Sequence, residues 1–305
     1  MKLKIIGESA IERRRYWLTE IVSLSGKFGA DATRVEDELT AEIKRDSAVA
    51  VLDHLRLCGN IPEQYGHDSS EEKLYSKYTD VVLAAALRKI GLKTQVLTER
   101  GDAADVEAVT DKWAMVGDAK AFRLSRTAKN QKDFKVEAMH VWKRGREHAL
   151  LVCPSYQLPV RKSQIYEQAI GRNVTIVSYA HLASLVALAE RHTTTVATSA
   201  LLAILKCAEA QSPTQDALFY WTLINRTLLS ASEQMLDLWQ NEKTATLEAL
   251  TYAREEALNA LAQERDAIMR MTHDEAVRAL MQNRNLDGRM SVISAIKDNG
   301  LLAIK

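Results

Sequence analysis

Residues 105–135 read DVEAVTDKWAMVGDAKAFRLSRTAKNQKDFK, and the rest of the chain is organised around them. Two short apolar runs, Val106-x-Ala108-Val109 and Trp113 to Val116, flank the turn Thr110-Asp111-Lys112, the pattern of a β-hairpin. Asp105 opens the first run, and Asp118-Ala119-Lys120 closes the second. Residues two apart on a strand leave from the same face, so Asp118 and Lys120 project together. Two carboxylates and a lysine make a poor core, because like charges sharing a site repel unless a cation lies between them. As chemistry they make sense. Two carboxylates form a hard-oxygen site suited to Mg²⁺, or to Mn²⁺ as a substitute. A lysine beside them stabilises charge developing in a displacement at phosphorus. The bland alternative is a solvated strand end, since Asp-x-Lys is common on surfaces.

The second half of the stretch is basic. Lys120, Arg123, Arg126, Lys129, Lys132 and Lys135 recur every three residues, with Asp133 the one acid among them. Phe122, Ser125, Thr127, Asn130 and Gln131 are interleaved. Lysine and arginine neutralise phosphates, and Arg, Asn and Gln can bond base edges bidentately. The whole chain carries 41 Lys and Arg against 40 Asp and Glu, so this positive segment is local and not a reflection of composition. A solvated basic helix face is the competing reading.

Asp105 followed a hairpin later by Asp118-Ala119-Lys120 resembles the PD-(D/E)xK nucleases. Asp118-Ala119-Lys120 with Phe122-Arg123-Leu124-Ser125-Arg126-Thr127-Ala128-Lys129-Asn130-Gln131-Lys132-Asp133-Phe134-Lys135-Val136 closely resembles the HindIII type II restriction endonuclease family. The similarity continues through Glu72-Lys73-Leu74, Ser76-Lys77 and Arg100-Gly101 upstream, and Lys162-Ser163-Gln164-Ile165 downstream. It is good over roughly residues 50–185 and looser elsewhere. The resemblance implies a central mixed β-sheet flanked by helices and Mg²⁺-dependent cleavage of both strands of a palindromic DNA site, A↓AGCTT. It also places Asp133 near the active site, as a second-metal or supporting carboxylate. A core helix ahead of the metal strands often presents a carboxylate in such nucleases, which makes Glu72 a candidate. Ser69 and Glu72 also have capping-box spacing, which accounts for Glu72 without any catalysis.

Around this centre, helical periodicity predicts helices over 8–24, 34–57 and from Ser69 to Gly91, then a strand over Thr94–Thr98. Glu99, in the turn that follows, is a further nearby acid. One helix is expected over 130–143. The runs HALLVC (148–153) and 174–177 read as strands buried on both faces, with helices over 162–170 and 179–190 between and after them. Strand–helix alternation here implies a mixed α/β, helix-rich fold with helices on both faces of the sheet. From residue 199 the pattern is almost wholly helical. The expected organisation is therefore a catalytic core with N-terminal helices over 1–198 and a C-terminal helical region over 199–305, serving as a dimer contact or a clamp on DNA. Arg13-Arg14-Arg15 reads as a solvated helix face. Cys58, Cys153 and Cys207 are far apart and odd in number, as for reduced core residues of a cytoplasmic protein. No apolar run reaches membrane-spanning length.

The function expected is a type II restriction endonuclease. Asp105, Asp118 and the carbonyl of Ala119 hold the metal, and Lys120 orients or polarises the attacking water. Asp133 and Glu72 are further catalytic candidates. Arg123, Ser125, Arg126, Lys129, Asn130 and Lys132 are the DNA-contact candidates. Cutting a palindrome on both strands needs two equivalent sites, hence a two-fold homodimer. Two rivals stand against this: another PD-(D/E)xK DNA-processing nuclease, and a non-catalytic DNA-binding regulator.

Overall fold

The computed structural model describes residues 5–97, 103–126 and 131–295, with the side chains at 131 and 132 outside that description. Two compact units divide the chain after Ala257.

The first unit is built on a five-stranded sheet in the order β1-β2-β3-β4-β5. The strands are β1 (Lys93–Val96), β2 (Val106–Val109), β3 (Ala114–Ala119), β4 (His148–Cys153) and β5 (Val174–Ser178). β1 through β3 pair antiparallel, and β3 through β5 pair parallel. The hairpin turn closes where expected, with Thr110 N–H bonded to the Trp113 carbonyl. Every residue of β4 and β5 is buried, which is why both read as unbroken apolar runs.

Helices α1 (Glu8–Val22), α2 (Phe28–Leu57) and α3 (Ser70–Ile90) precede the sheet. Residues 78–87 of α3 are buried without a break, so this part of the helix is enclosed on every side, while its first two turns keep polar residues at the surface. Ser69 caps its start by accepting from Glu72 N–H, and Gly91 ends it in the left-handed conformation at φ 116°. α3 packs across β1, β2 and β3, and meets α7 (Tyr179–Arg191) and α8 (Thr194–Lys206), so these three form one helical layer. α5 (Val136–Trp142) and α6 (Gln164–Gly171) meet each other and the parallel strands and form a second layer. The molecule is thus the mixed, helix-rich α/β structure that the alternation implied.

Two details depart from expectation. The single helix expected over 130–143 is two, α4 (Gln131–Phe134) and α5, broken at Lys135 with φ 51°. Of the arginine triplet only Arg15 is exposed as expected. Arg13 pairs with Glu42, Asp46 and Asp53, and Arg14 is buried against Glu256, the Leu57 and Asn60 carbonyls and the Tyr75 hydroxyl. The first compact unit runs on to Ala257. α8 packs on β4 and β5, and Tyr220 of α9 (Ala217–Leu229) exchanges hydrogen bonds with Ile176, so both helices complete the sheet domain. α10 (Met235–Met269) begins in this unit too. Its Glu242 pairs with Arg56, its Glu248 accepts from Ile5 and Ile6 N–H, and its Glu256 pairs with Arg14.

The second unit contains the end of α10, α11 (His273–Asn283) and α12 (Leu286–Ser294). Thr272 and Glu275 form the capping box that starts α11. Among the described residues no helix is long and apolar enough to cross a membrane.

Candidate active site

The hairpin register sets the first part of the site. Val106 pairs with Gly117, so one step further out Asp105 lies opposite Asp118. Asp105 is anchored just before β2 by its carbonyl, which accepts from Leu97 N–H at 2.8 Å. Asp118 is the penultimate residue of β3, with Ala119 ending the strand. Lys120 continues the parallel ladder by donating its N–H to Val152 at 2.8 Å, and its ammonium contacts Asp118 Oδ2.

The second part comes from α3. Asp80, eight residues after Glu72, brings its carboxylate to the same place: oxygens of Asp80, Asp105 and Asp118 all lie within 4.8 Å of one another. Gly117 permits this approach. A Cβ there would stand 3.1 Å from Leu83 Cδ2, one turn beyond Asp80, so a side chain at 117 would crowd the face of α3 that carries Leu83. Asp80 and Asp118 are 3% and 1% exposed, and Asp105 is half-buried.

Electrostatics describe a site short of positive charge. Burial, then Asp105 and Asp118, push the Asp80 carboxyl well above the ordinary range. Burial and Asp118 raise Asp105. Burial opposes the charge on Lys120, but Asp118, Asp105 and Asp80 outweigh it and hold the ammonium above its usual value. Crowded carboxylates whose charged forms are disfavoured are what a divalent cation relieves, and an all-oxygen donor set suits a hard ion. The residues present therefore fit such a metal.

The other candidates lie apart from this trio. Glu72 sits at the start of α3, accepting from Asp68 N–H and pairing with Arg123 at 3.2 Å. Arg123 also donates to the Tyr65 and Gly66 carbonyls. Ser125 is held by Glu63 through both its N–H and its hydroxyl. Asp133 pairs with Arg126 at 3.0 Å, and the Arg126 guanidinium also lies 5.6 Å from the centre of the Phe122 ring. Lys129 and Asn130, the Lys132 side chain and Glu99 lie outside the described residues.

The segment leaving β3 is fixed by its backbone. Tyr179 donates to the Lys120 carbonyl at 3.0 Å, Tyr156 to the Phe122 carbonyl at 2.7 Å, and Gln157 to the Arg123 and Arg126 carbonyls. His181, a bystander, bonds Ser178 and Asn225, and burial lowers it to about 4.

Asp80 is the residue that reading the sequence missed. The capping box drew attention to Glu72. The available signal was a carboxylate directly ahead of the run Val81-Val82-Leu83-Ala84-Ala85, where an unpaired buried charge is expensive.

A mixed sheet whose antiparallel hairpin delivers two aspartates and a lysine, with a third aspartate from the helix behind, is a restriction-endonuclease-like fold. Its relatives make the assignment specific. The family model described as HindIII restriction endonuclease matches residues 15–297. The type II restriction enzyme HindIII of Haemophilus influenzae is 33% identical over 265 residues, covering 83% of this chain and 86% of that protein. The chain belongs to the HindIII restriction endonuclease family and is a site-specific deoxyribonuclease.

Proposed function

We propose that this protein is a Mg²⁺-dependent endonuclease that cuts both strands of the palindrome A↓AGCTT and leaves 5′-phosphate ends. The observation that carries the reading is the convergence of Asp80, Asp105 and Asp118 within 4.8 Å, with Lys120 against Asp118. The target sequence rests on family membership alone.

Asp80, Asp105 and Asp118, with the Ala119 carbonyl, would hold the divalent ion. Such an ion, when bound, polarises a phosphoryl oxygen and makes water more acidic. Lys120 orients the attacking water and places positive charge beside the phosphorus, where negative charge grows during in-line displacement. The charges of Asp118, Asp105 and Asp80 keep Lys120 protonated against the cost of its burial, and its contact with Asp118 holds it in place as charge develops. Arg126, the most exposed of the described basic candidates, takes a phosphate or base edge, releasing Asp133. Arg123 is half-buried against Glu72, and it supports the basic segment from behind as well as lending it charge.

Two cuts in a palindrome require two copies of the site, hence a homodimer. Exposed Leu280, Met281, Val292 and Ile293 of α11 and α12 support a contact made by the C-terminal helices. Incubation of plasmid or phage DNA with Mg²⁺ or with EDTA, alongside Asp118→Ala, tests the reading. Discrete fragments that require Mg²⁺ and vanish in the variant are expected, with end-sequencing giving the site. DNA that is bound yet intact in every condition would overturn it.

A further inference from the structure

One charged group beside the trio has no part in the mechanism above. Lys77 lies on α3 one turn before Asp80. Its ammonium is 3.4 Å from Asp105 Oδ1, 3.7 Å from Asp80 Oδ2 and 3.5 Å from the Leu97 carbonyl. Lys120 stands instead on Asp118. Two ammoniums thus divide three carboxylates between them. Lys120 serves Asp118 on β3, and Lys77 bridges the other two, Asp80 on α3 and Asp105 just before β2. The Lys77 side chain is also the more exposed of the two, 28% against 15%.

We propose that Lys77 is a built-in cation that holds Asp80 and Asp105 together in the metal-free protein and gives up that place when a divalent ion binds. The inference rests on the reading of the trio as a metal site. Its physical basis is that carboxylates sharing a site need a cation between them. A compact ammonium on a flexible four-carbon stem can fill that need and then swing toward solvent. A divalent ion brings twice the charge and direct coordination, which a lysine at 3.4–3.7 Å cannot match. Lys77 is on this account a positioning residue with two opposed effects. It stabilises the metal-free fold, and it competes with the metal by occupying its charge environment.

The opposed signs make the test. Full-length protein without DNA is titrated with Mn²⁺, with the free ion followed by electron paramagnetic resonance. Thermal unfolding is recorded in parallel with EDTA and with Mn²⁺. The proteins are the wild type, Lys77→Met, Lys77→Arg and, as the site control, Asp105→Asn, with Lys77→Gln in reserve should the methionine variant not fold. Lys77→Met is expected to melt at a lower temperature in EDTA and to bind Mn²⁺ on the order of tenfold more tightly, since a nearby like charge has gone. Lys77→Arg should keep the wild-type pattern. If the wild type binds Mn²⁺ and Lys77→Met binds it no more tightly, the inference fails while the metal reading stands. If the wild type takes up no Mn²⁺, or Asp105→Asn takes up as much, the metal reading fails and the inference with it.

Discussion

Replacing Asp80 with asparagine should make the metal-free enzyme more stable while disabling it. At 4.8 Å and an effective dielectric of about 20, each pair of carboxylates repels by about 3 kcal/mol, and Asp80 faces two such partners. Burial adds to this, since Asp80 is 3% exposed. Against these, Lys77 at 3.7 Å returns about 4 kcal/mol of attraction. The balance disfavours the carboxylate, in line with its raised pKa, which comes from burial first and then from Asp105 and Asp118. A neutral amide of nearly the same shape removes the imbalance, a gain of about 1–2 kcal/mol at neutral pH. The pH dependence follows. A carboxyl raised in the folded state binds its proton more tightly there than in the unfolded chain, so metal-free stability falls as pH rises from about 4 through the raised values of Asp80 and Asp105. Asp80→Asn should flatten that fall. Urea unfolding in EDTA across this range measures it, and cleavage with Mg²⁺ should drop by at least about a hundredfold, the upper end of the loss seen when a metal site's supporting groups are removed. A variant less stable than wild type in EDTA at neutral pH would refute the reasoning.

Three further outcomes follow from other parts of the structure. Gly117→Ala forces its new methyl to within 3.1 Å of Leu83, so it should cost about 1–3 kcal/mol and weaken Mn²⁺ binding by displacing Asp80. Unaltered stability and affinity would show that α3 need not approach β3 so closely. Glu42 pays a burial penalty, yet His54, Arg13 and Trp17 lower it to about 2, so it supplies about 3 kcal/mol that is present above the ordinary glutamate range and lost as pH falls toward 2. Glu42→Gln should lose that much at neutral pH and show a shallower acid limb in chemical denaturation, and equal neutral stability would count against the network. Arg126→Ala should weaken DNA binding and lower the salt slope by about one, measured by fluorescence anisotropy at several salt concentrations, whereas an unchanged slope would remove Arg126 from the phosphate contacts.

By itself the sequence determined the hairpin, both buried parallel strands, most helix positions and three members of the candidate site. These are local properties. An unbroken apolar run such as HALLVC, a capping serine before α3, and an aspartate two residues from a lysine on one strand all express themselves within a few residues. Family likeness was legible for the same reason, being carried by short continuous stretches, the basic one foremost. Tertiary structure decided what depends on distant partners. Asp80 joins the site because α3 packs across β1, β2 and β3, and the apolar run beside it shows that it is buried but not which carboxylates it meets. Arg14 looked solvated beside two other arginines. Its partner Glu256 is 242 residues away, and only the packing of α10 on the N-terminal helices makes the buried pair. The seat of α9 on β5 was hidden likewise. Amphipathic periodicity shows that a helix has an apolar face, and only the folded chain shows that the face of α9 is filled by the sheet.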